Sequence, residues 1–140
     1  QYIQRVLTPI IHSQPLNLLK YYSLLVMKLK FSKDRKYAYS ITTAEEIKRL
    51  KLNKADARLG PNYLGFIKDF EFIFTLTELD DEIKGSFRSQ KGVDVSLFAK
   101  ELGGGGHKAA ASFMLPKMSL DEAEKKVIRV IEKIGIQKTP

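Results

Sequence analysis

The sequence predicts a single domain of the α/β (α+β) class, in which helices pack on a mixed central β-sheet. The chain has 140 residues, which is the length of one domain. Its hydrophobic content of 44% is sufficient for a buried core. Helical and strand-like segments follow one another in the order helix, strand, helix, hairpin, helix, strand, helix. We expect residues 1–14 to be a linker segment and residues 15–140 to form the domain.

Four elements are predicted in the first half of the domain: a helix from Pro15 to about Lys30, a strand over Tyr37–Ile41, a short helix after Thr43, and another over residues 63–68. Proline is favoured in the first turn of a helix, which suits Pro15. Thr43 followed by Glu46 is a capping box. The Gly60–Pro61–Asn62 segment is expected to interrupt the chain before the last of these helices.

Five elements are predicted in the second half: strands over Phe70–Leu79, Ile83–Ser89 and Ala109–Leu115, and helices over Val95–Leu102 and from Leu120 to Ile134. The Asp80–Asp81 pair predicts a turn that joins the first two strands into an antiparallel hairpin. Asp94 can cap the first helix. Ser119 and Glu122 predict a second capping box, and Gly135 is a typical helix stop.

Composition excludes several classes of protein. The chain has no cysteine, so it has no disulfide and no thiolate metal site. His12 and His107 are too few for a self-contained metal cluster. No apolar stretch approaches the roughly 20 residues of a membrane helix, and we find no signal peptide, so we expect a cytoplasmic protein without a membrane partner. Because the chain does not begin with Met, we also expect it to be part of a longer protein.

The charge and the glycines suggest an anionic ligand. The net charge of +8 favours polyanionic partners without specifying one. Four consecutive glycines and two donor residues are the strongest functional signal: Gly103, Gly104, Gly105, Gly106, His107 and Lys108. One glycine is enough to end a helix, so the run predicts a loop whose backbone N–H groups bind a phosphate. The run matches neither a P-loop nor a dinucleotide fingerprint. The alternative is that it forms only a sharp turn.

A second candidate is Arg88, in the strand before the glycines. Alternation along this strand predicts that Lys84, Ser86 and Arg88 share one face. A guanidinium group suits two-pronged contact with a phosphate, although a solvent-facing arginine is the more ordinary interpretation. Tyr63, Phe66 and Phe87 are candidates for stacking on a base, but aromatic residues at such spacing more often belong to the core.

Four segments together resemble a known family, the DHH-associated domain: Gly85–Ser89, Gly92–Val95, Phe98–Leu102 and Gly103–Ala111. This is the C-terminal domain of DHH-superfamily phosphoesterases. The resemblance is strongest to bacterial oligoribonucleases (pAp phosphatases) and weaker to cyclic-dinucleotide phosphodiesterases and single-strand exonucleases. It is most specific over residues 83–113 and covers most of the chain. One departure is Ser112, where the family often has glycine.

The resemblance implies a division of labour. In such enzymes an N-terminal domain with an Asp-His-His motif holds two metal ions, usually manganese, and the DHH-associated domain binds the substrate. By position, Arg88 would hold a phosphate or the nucleotide end, and Gly104, Gly105 and Gly106 would offer N–H groups. His107 would approach the phosphate near the metals.

The 140 residues contain no Asp-His-His motif. Hydrolysis by two metals needs both ions within a few ångströms of each other. We therefore expect no catalytic residue and no cofactor in this chain, with Mn²⁺ held by an N-terminal DHH domain of the same polypeptide. The expected ligands are short RNA or nucleotide phosphates. Oligoribonucleotides, pAp and cyclic dinucleotides remain open, as does a nucleic-acid-binding role like that of the similar domain that ends alanyl-tRNA synthetases.

Overall fold

The computed structural model describes residues 15–65 and 67–138. The predicted linker and Phe66 lie outside the described residues. The helices are α1 Leu16–Met27, α2 Ala44–Arg49, α3 Lys54–Ala57, α4 Gly60–Leu64, α5 Ser96–Glu101 and α6 Leu120–Ile134. The strands are β1 Lys30–Phe31, β2 Tyr37–Thr42, β3 Phe72–Glu78, β4 Glu82–Ser89, β5 Gly105–His107 and β6 Ala110–Pro116.

The described strands form one sheet in the order β1-β2-β3-β4-β6-β5. Strands β2 and β3 are parallel, and every other neighbouring pair is antiparallel. The mixed sheet with packed helices confirms the predicted fold class. The predicted hairpin is also confirmed as β3 and β4. Strands β1 and β5, at the two edges, were not predicted.

The two faces of the sheet differ in chemistry. One face, here called the aromatic face, carries large buried side chains that pack against α5 and α6: Tyr37, Tyr39, Phe72, Phe74, Leu76, Phe87 and Phe113. The opposite face, here called the polar face, carries a row of hydroxyl groups in the same register: Ser40, Thr75, Ser86 and Ser112. Since alternate residues of a strand point to opposite faces, this division follows from the strand sequences.

Helix α1 covers only part of the polar face. Its buried residues Tyr21 and Leu25 belong to a second apolar cluster with Ala38 of β2 and Ile73 of β3. Beyond them the face is open, because Met114 of β6 is 41% exposed. Helix α4 lies over β4, where Ser86 is buried and Asn62 bonds to Arg88. The uncovered part of the polar face therefore consists of strands β6 and β5.

The predicted helix caps are found. Thr43 Oγ1 accepts from the Glu46 N–H at 3.1 Å, and the Glu46 carboxylate accepts from the Thr43 N–H at 3.0 Å, which completes the capping box. Ser119 Oγ accepts from the Glu122 N–H at 3.1 Å, but among the described residues no reciprocal bond joins the Glu122 carboxylate to the Ser119 N–H, so only half of the second predicted capping box forms. The Asp94 carboxylate accepts from the N–H of the first residue of α5 at 3.1 Å. These local signals fixed the beginnings of α2, α5 and α6.

The prediction around Gly60 was wrong. The segment Gly60–Pro61–Asn62 does not interrupt the chain but forms the first turn of α4, where the fixed φ of Pro61 fits. The helix predicted over residues 63–68 accordingly ends at Leu64. Helix α3 was not predicted, although Asn53 caps it through the Asp56 N–H at 2.8 Å. Gly60 allows α4 to lie close to α1, because a Cβ there would meet Leu25 Cδ1 at 2.7 Å.

Candidate phosphate-binding site

The glycine run begins as a helix end. Gly103 has φ +84°, a left-handed conformation that suits glycine. Its N–H donates to the Lys100 carbonyl at 3.0 Å, and the Gly104 N–H donates to the Ala99 carbonyl at 2.8 Å. This pair of bonds is the Schellman motif that ends α5. The prediction that the Gly104 N–H is offered to a ligand is therefore wrong in this structure, since the helix end uses it.

The other two glycines lie in a strand rather than in a loop. Gly105 and Gly106 belong to β5, which pairs with β6 at the edge of the sheet. Lys108 lies in the two-residue turn between these strands, and its carbonyl accepts from the Val95 N–H at 3.0 Å. The predicted phosphate-binding loop is thus a short hairpin attached to the segment before α5.

The backbone requires three of the four glycines. A Cβ on Gly104 would lie 2.1 Å from the Ser112 carbonyl oxygen. Gly106 has φ +143°, and a Cβ there would lie 2.6 Å from Ala111 Cα. Position 103 favours glycine because its backbone has the positive φ of +84°. Gly105 is different, because its φ is not positive and nothing lies within 4 Å of the position that a Cβ would take.

The pairing of the strands brings two predicted residues into one row. Arg88 pairs with Ala110, which pairs in turn with His107. Paired residues of antiparallel strands point to the same face, so Arg88 and His107 both belong to the polar face. Adjacent strands lie about 4.8 Å apart, and the two backbones are therefore about 10 Å apart. The His107 side chain is exposed.

The next row of the same face contains Gly105. Ser86 pairs with Ser112, which pairs with Gly105. Between Arg88 and His107 the face carries only the methyl group of Ala110, and beside that row it carries small hydroxyl groups and a bare backbone. The result is a shallow surface that is open over β6 and β5, with a half-buried cation on one side and an exposed imidazole on the other.

Arg88 is not the freely accessible side chain that the sequence predicted. It is half-buried, and its Nε and Nη2 atoms donate to Asn62 Oδ1 at 3.1 and 2.8 Å. Its Nη1 atom donates to the Phe87 carbonyl at 2.8 Å. Burial lowers the pKa of the guanidinium, because desolvation disfavours the charged form. Within residues 15–65 and 67–138 no carboxylate pairs with Arg88. Neutral acceptors therefore hold the guanidinium in place, and no described carboxylate compensates its positive charge.

Asn62 is a site residue that the sequence did not reveal. It lies 26 residues before Arg88, in a segment that was interpreted as a break. Among the three aromatic candidates, Phe87 is fully buried in the aromatic face. Tyr63, next to Asn62, is 45% exposed, and its ring stacks on Tyr22 with the centroids 4.0 Å apart. Of the two described candidates, Tyr63 is therefore the one with an exposed ring.

The described residues show no metal centre and no membrane helix. Across 15–65 and 67–138, no three histidine or carboxylate side chains come together in a way that could hold a metal ion. In the same ranges, no helix is both long and apolar enough to cross a bilayer.

The family is shown by comparison with known proteins. A profile of the DHHA1 domain matches residues 34–133, which is more than half of the chain. The chain therefore belongs to the DHHA1 domain family, and the DHH-associated domain expected from the sequence is confirmed. No curated protein sequence matches the chain at a significant level.

Solved structures share the fold. An exopolyphosphatase-related protein from Bacteroides fragilis is 25% identical with a TM-score of 0.81, over 93% of this chain and 38% of its own. The pGpG-specific phosphodiesterase PggH from Vibrio cholerae is 15% identical with a TM-score of 0.58, over 85% of this chain and 40% of its own. The C-Ala domain of Aquifex aeolicus alanyl-tRNA synthetase is 18% identical with a TM-score of 0.53, over 74% of this chain and 97% of its own. This chain thus spans about two fifths of the first two proteins.

Proposed function

We propose that this chain binds a phosphate group of a short nucleotide ligand on the polar face, between Arg88 and His107, with the backbone of Gly105 beside it. In this proposal the chain is the substrate-binding part of a metal-dependent phosphoesterase. The ligand is a short oligoribonucleotide, pAp or a cyclic dinucleotide. The observation that carries the proposal is Gly105, a glycine that the fold does not require, on the same open face as an uncompensated arginine.

The charge of Arg88 supports an anionic ligand. Asn62 and a backbone carbonyl hold the guanidinium in place without neutralising it. A half-buried cation interacts more strongly with an anion than an exposed one, because less water screens the charge. These neutral acceptors fix the orientation of the guanidinium before a ligand binds. Less conformational entropy is therefore lost on binding.

Gly105 supports close approach of the ligand to the backbone. A side chain at this position would project over Ser112 on the polar face and keep a ligand away from the strand. Hydrogen in its place leaves the backbone accessible. Strand β5 is also an edge strand, and the alternation of an antiparallel pair turns the N–H of Gly106, next to Gly105, outward from the sheet.

The relatives support a phosphate-containing ligand. One is described as exopolyphosphatase-related and another as a pGpG-specific phosphodiesterase. In the proposal, hydrolysis depends on an N-terminal DHH domain of the same polypeptide, where manganese would supply a nucleophilic water and stabilise the leaving oxygen. The described residues of this chain bind and orient the ligand.

The test is calorimetric titration of this chain with pAp and with a dinucleotide RNA at low salt. A hydrogen bond to a charged group contributes about 1.5 to 3 kcal/mol, so Arg88→Ala should weaken binding by about tenfold or more. Arg129→Ala is the matched control, because Arg129 is exposed on α6. This helix packs on the aromatic face, on the opposite side of the sheet from the candidate site. Equal affinities of the two variants would contradict the proposal.

The fold of the C-Ala domain and the net charge of +8 favour a second candidate, a nucleic-acid-binding module of another enzyme. A large basic surface binds long RNA through many phosphates and with steep salt dependence. A structured RNA that binds much more tightly than pAp, with no loss in Arg88→Ala, would favour this second function.

A further inference from the structure

The guanidinium of Arg88 is held by a side chain from another element, Asn62 of helix α4. Both Nε and Nη2 of Arg88 donate to Asn62 Oδ1, at 3.1 and 2.8 Å. The Nη1 atom donates to the carbonyl of Phe87, the preceding residue, at 2.8 Å. Three hydrogen bonds to two neutral acceptors therefore determine how the guanidinium is oriented.

Asn62 lies in a part of the chain that is fixed against the sheet by other contacts. A Cβ on Gly65 would lie 3.3 Å from Arg88 Cβ, so the end of α4 rests on β4. Gln90 Nε2 donates to the Gly65 carbonyl and holds the two elements together. At the other end of α4, Gly60 allows close packing on α1. The position of Asn62 is therefore set by contacts that do not involve the guanidinium.

The number of donors shows which part of Arg88 is left for a ligand. A guanidinium group has five N–H bonds, one on Nε and two on each Nη atom. Asn62 accepts from Nε and from one N–H of Nη2, along one edge of the group. The Phe87 carbonyl accepts from one N–H of Nη1, on the side of the residue's own backbone. The remaining two N–H bonds, one on each Nη atom, point away from the end of the side chain and are here called the outer fork.

The outer fork and the neutral acceptor suit one phosphate group. Two parallel N–H bonds of a guanidinium match two oxygens of a phosphate in spacing and direction. An aspartate in place of Asn62 could accept the same two bonds, but its negative charge would compensate the charge of Arg88. The amide oxygen of Asn62 orients the guanidinium and leaves its positive charge for the ligand.

We propose that Asn62 is a positioning residue, which directs the outer fork of Arg88 towards a phosphate group and leaves the charge of Arg88 uncompensated. The inference rests on the proposed function, because the phosphate concerned is the one between Arg88 and His107. It goes further by naming the edge of the guanidinium that binds the phosphate oxygens. It also gives a role in ligand binding to a residue that acts through another side chain.

The first test replaces the neutral acceptor with a charged one of almost the same shape. In calorimetric titrations with pAp at low salt, Asn62→Asp should bind about tenfold or more weakly, because the new carboxylate competes with the phosphate for the charge of Arg88. Its unfolding temperature should be unchanged or slightly higher, since the hydrogen bonds remain and an ion pair is added.

Asn53→Asp is the matched control for this substitution. Asn53 is exposed and caps α3, and aspartate caps a helix as well as asparagine does. The control therefore adds the same negative charge without touching Arg88. It should bind pAp within about twofold of wild type, as expected for a surface substitution.

The second test uses the wild-type chain and observes the arginine side chains directly. Their ¹⁵N signals would be followed by nuclear magnetic resonance during a titration with pAp, and the Arg88 signals identified by their loss in Arg88→Ala. We expect the Nη signals of Arg88 to shift saturably, while its Nε signal, which reports the bond to Asn62, shifts much less. If Asn62 only stabilised α4, the two edges of the guanidinium would not respond differently.

The two tests distinguish a failure of this inference from a failure of the proposed function. If wild type binds pAp and Asn62→Asp binds it equally tightly, the positioning role is wrong and the proposed function stands. The same holds if the Nε signal of Arg88 shifts as far as the Nη signals. If wild type does not bind pAp, the proposed function is wrong and this inference with it. If Asn62→Asp unfolds at a lower temperature, the wild-type spectra alone decide.

Discussion

Alanine substitutions at Gly104 and Gly105 should have opposite effects on stability, although the two residues are neighbours. A Cβ on Gly104 would lie 2.1 Å from the Ser112 oxygen and 2.7 Å from Phe113 Cα. Both are backbone atoms of β6 and cannot rotate away, so the strands must move apart. Overpacking of this kind costs about 1 to 3 kcal/mol, and we expect the upper end because backbone must shift.

At Gly105 the same substitution meets nothing within 4 Å, and the backbone has no positive φ. Alanine then reduces the conformational freedom of the unfolded chain, which stabilises a protein by about 0.4 to 1 kcal/mol. The expected difference in unfolding free energy between the two variants is therefore about 3 to 4 kcal/mol.

Urea unfolding followed by far-ultraviolet circular dichroism measures this difference. The dependence on urea should be unchanged in both variants, so that the shift in midpoint reports stability alone. If Gly104→Ala and Gly105→Ala were equally stable within about 0.5 kcal/mol, a margin typical of harmless surface substitutions, the packing of the glycine run against β6 would be wrong. The functional role of Gly105 would then lose its basis as well.

Three further predictions concern stability. Burial opposes ionisation of Glu46, but Lys28 and the capping box lower its pKa, so its contribution is present above the ordinary carboxyl pKa and lost as pH falls. Glu46→Gln should therefore cost about 1 kcal/mol at pH 7, and the difference measured by urea unfolding should shrink as pH falls through the lowered pKa of Glu46. Burial and the carboxylate of Glu124 raise the pKa of Tyr39 to about 12, so its contribution is full below pH 10 and lost towards pH 12. Tyr39→Phe should flatten that alkaline decline, and an unchanged decline would contradict the assignment. Phe87→Ala should destabilise the domain by about 3 to 5 kcal/mol in the same assay.

Much of the fold follows from local signals in the sequence. The capping box at Thr43 and Glu46 and the alternation in β4 act over a few residues, and both were found as predicted. Helix α3 was missed although Asn53 provides a local cap for it. Helix α4 was misplaced because a tertiary contact determines it. The Gly60–Pro61 pair is a poor helix former by itself, and it forms a helix where α1 packs against it.

The candidate site could be predicted only in part. The sequence indicates that glycines, His107 and Arg88 belong to one site, but their division into a helix end and an edge strand depends on the position of β6. The shared row of Arg88 and His107 requires the strand order β4-β6-β5, which no local pattern contains. The contact between Asn62 and Arg88 joins residues far apart in the chain, and composition gave no sign of it.

Phosphate binding by the polar face can be tested residue by residue with nuclear magnetic resonance. The ¹⁵N-labelled chain would be titrated with adenosine 3′,5′-bisphosphate, and the backbone amide shifts followed. We predict saturable shifts at Arg88, Gly105 and His107, with little change along α6 behind the aromatic face. Shifts confined to α6, or no saturable shift at Arg88 and His107, would contradict phosphate binding at this site.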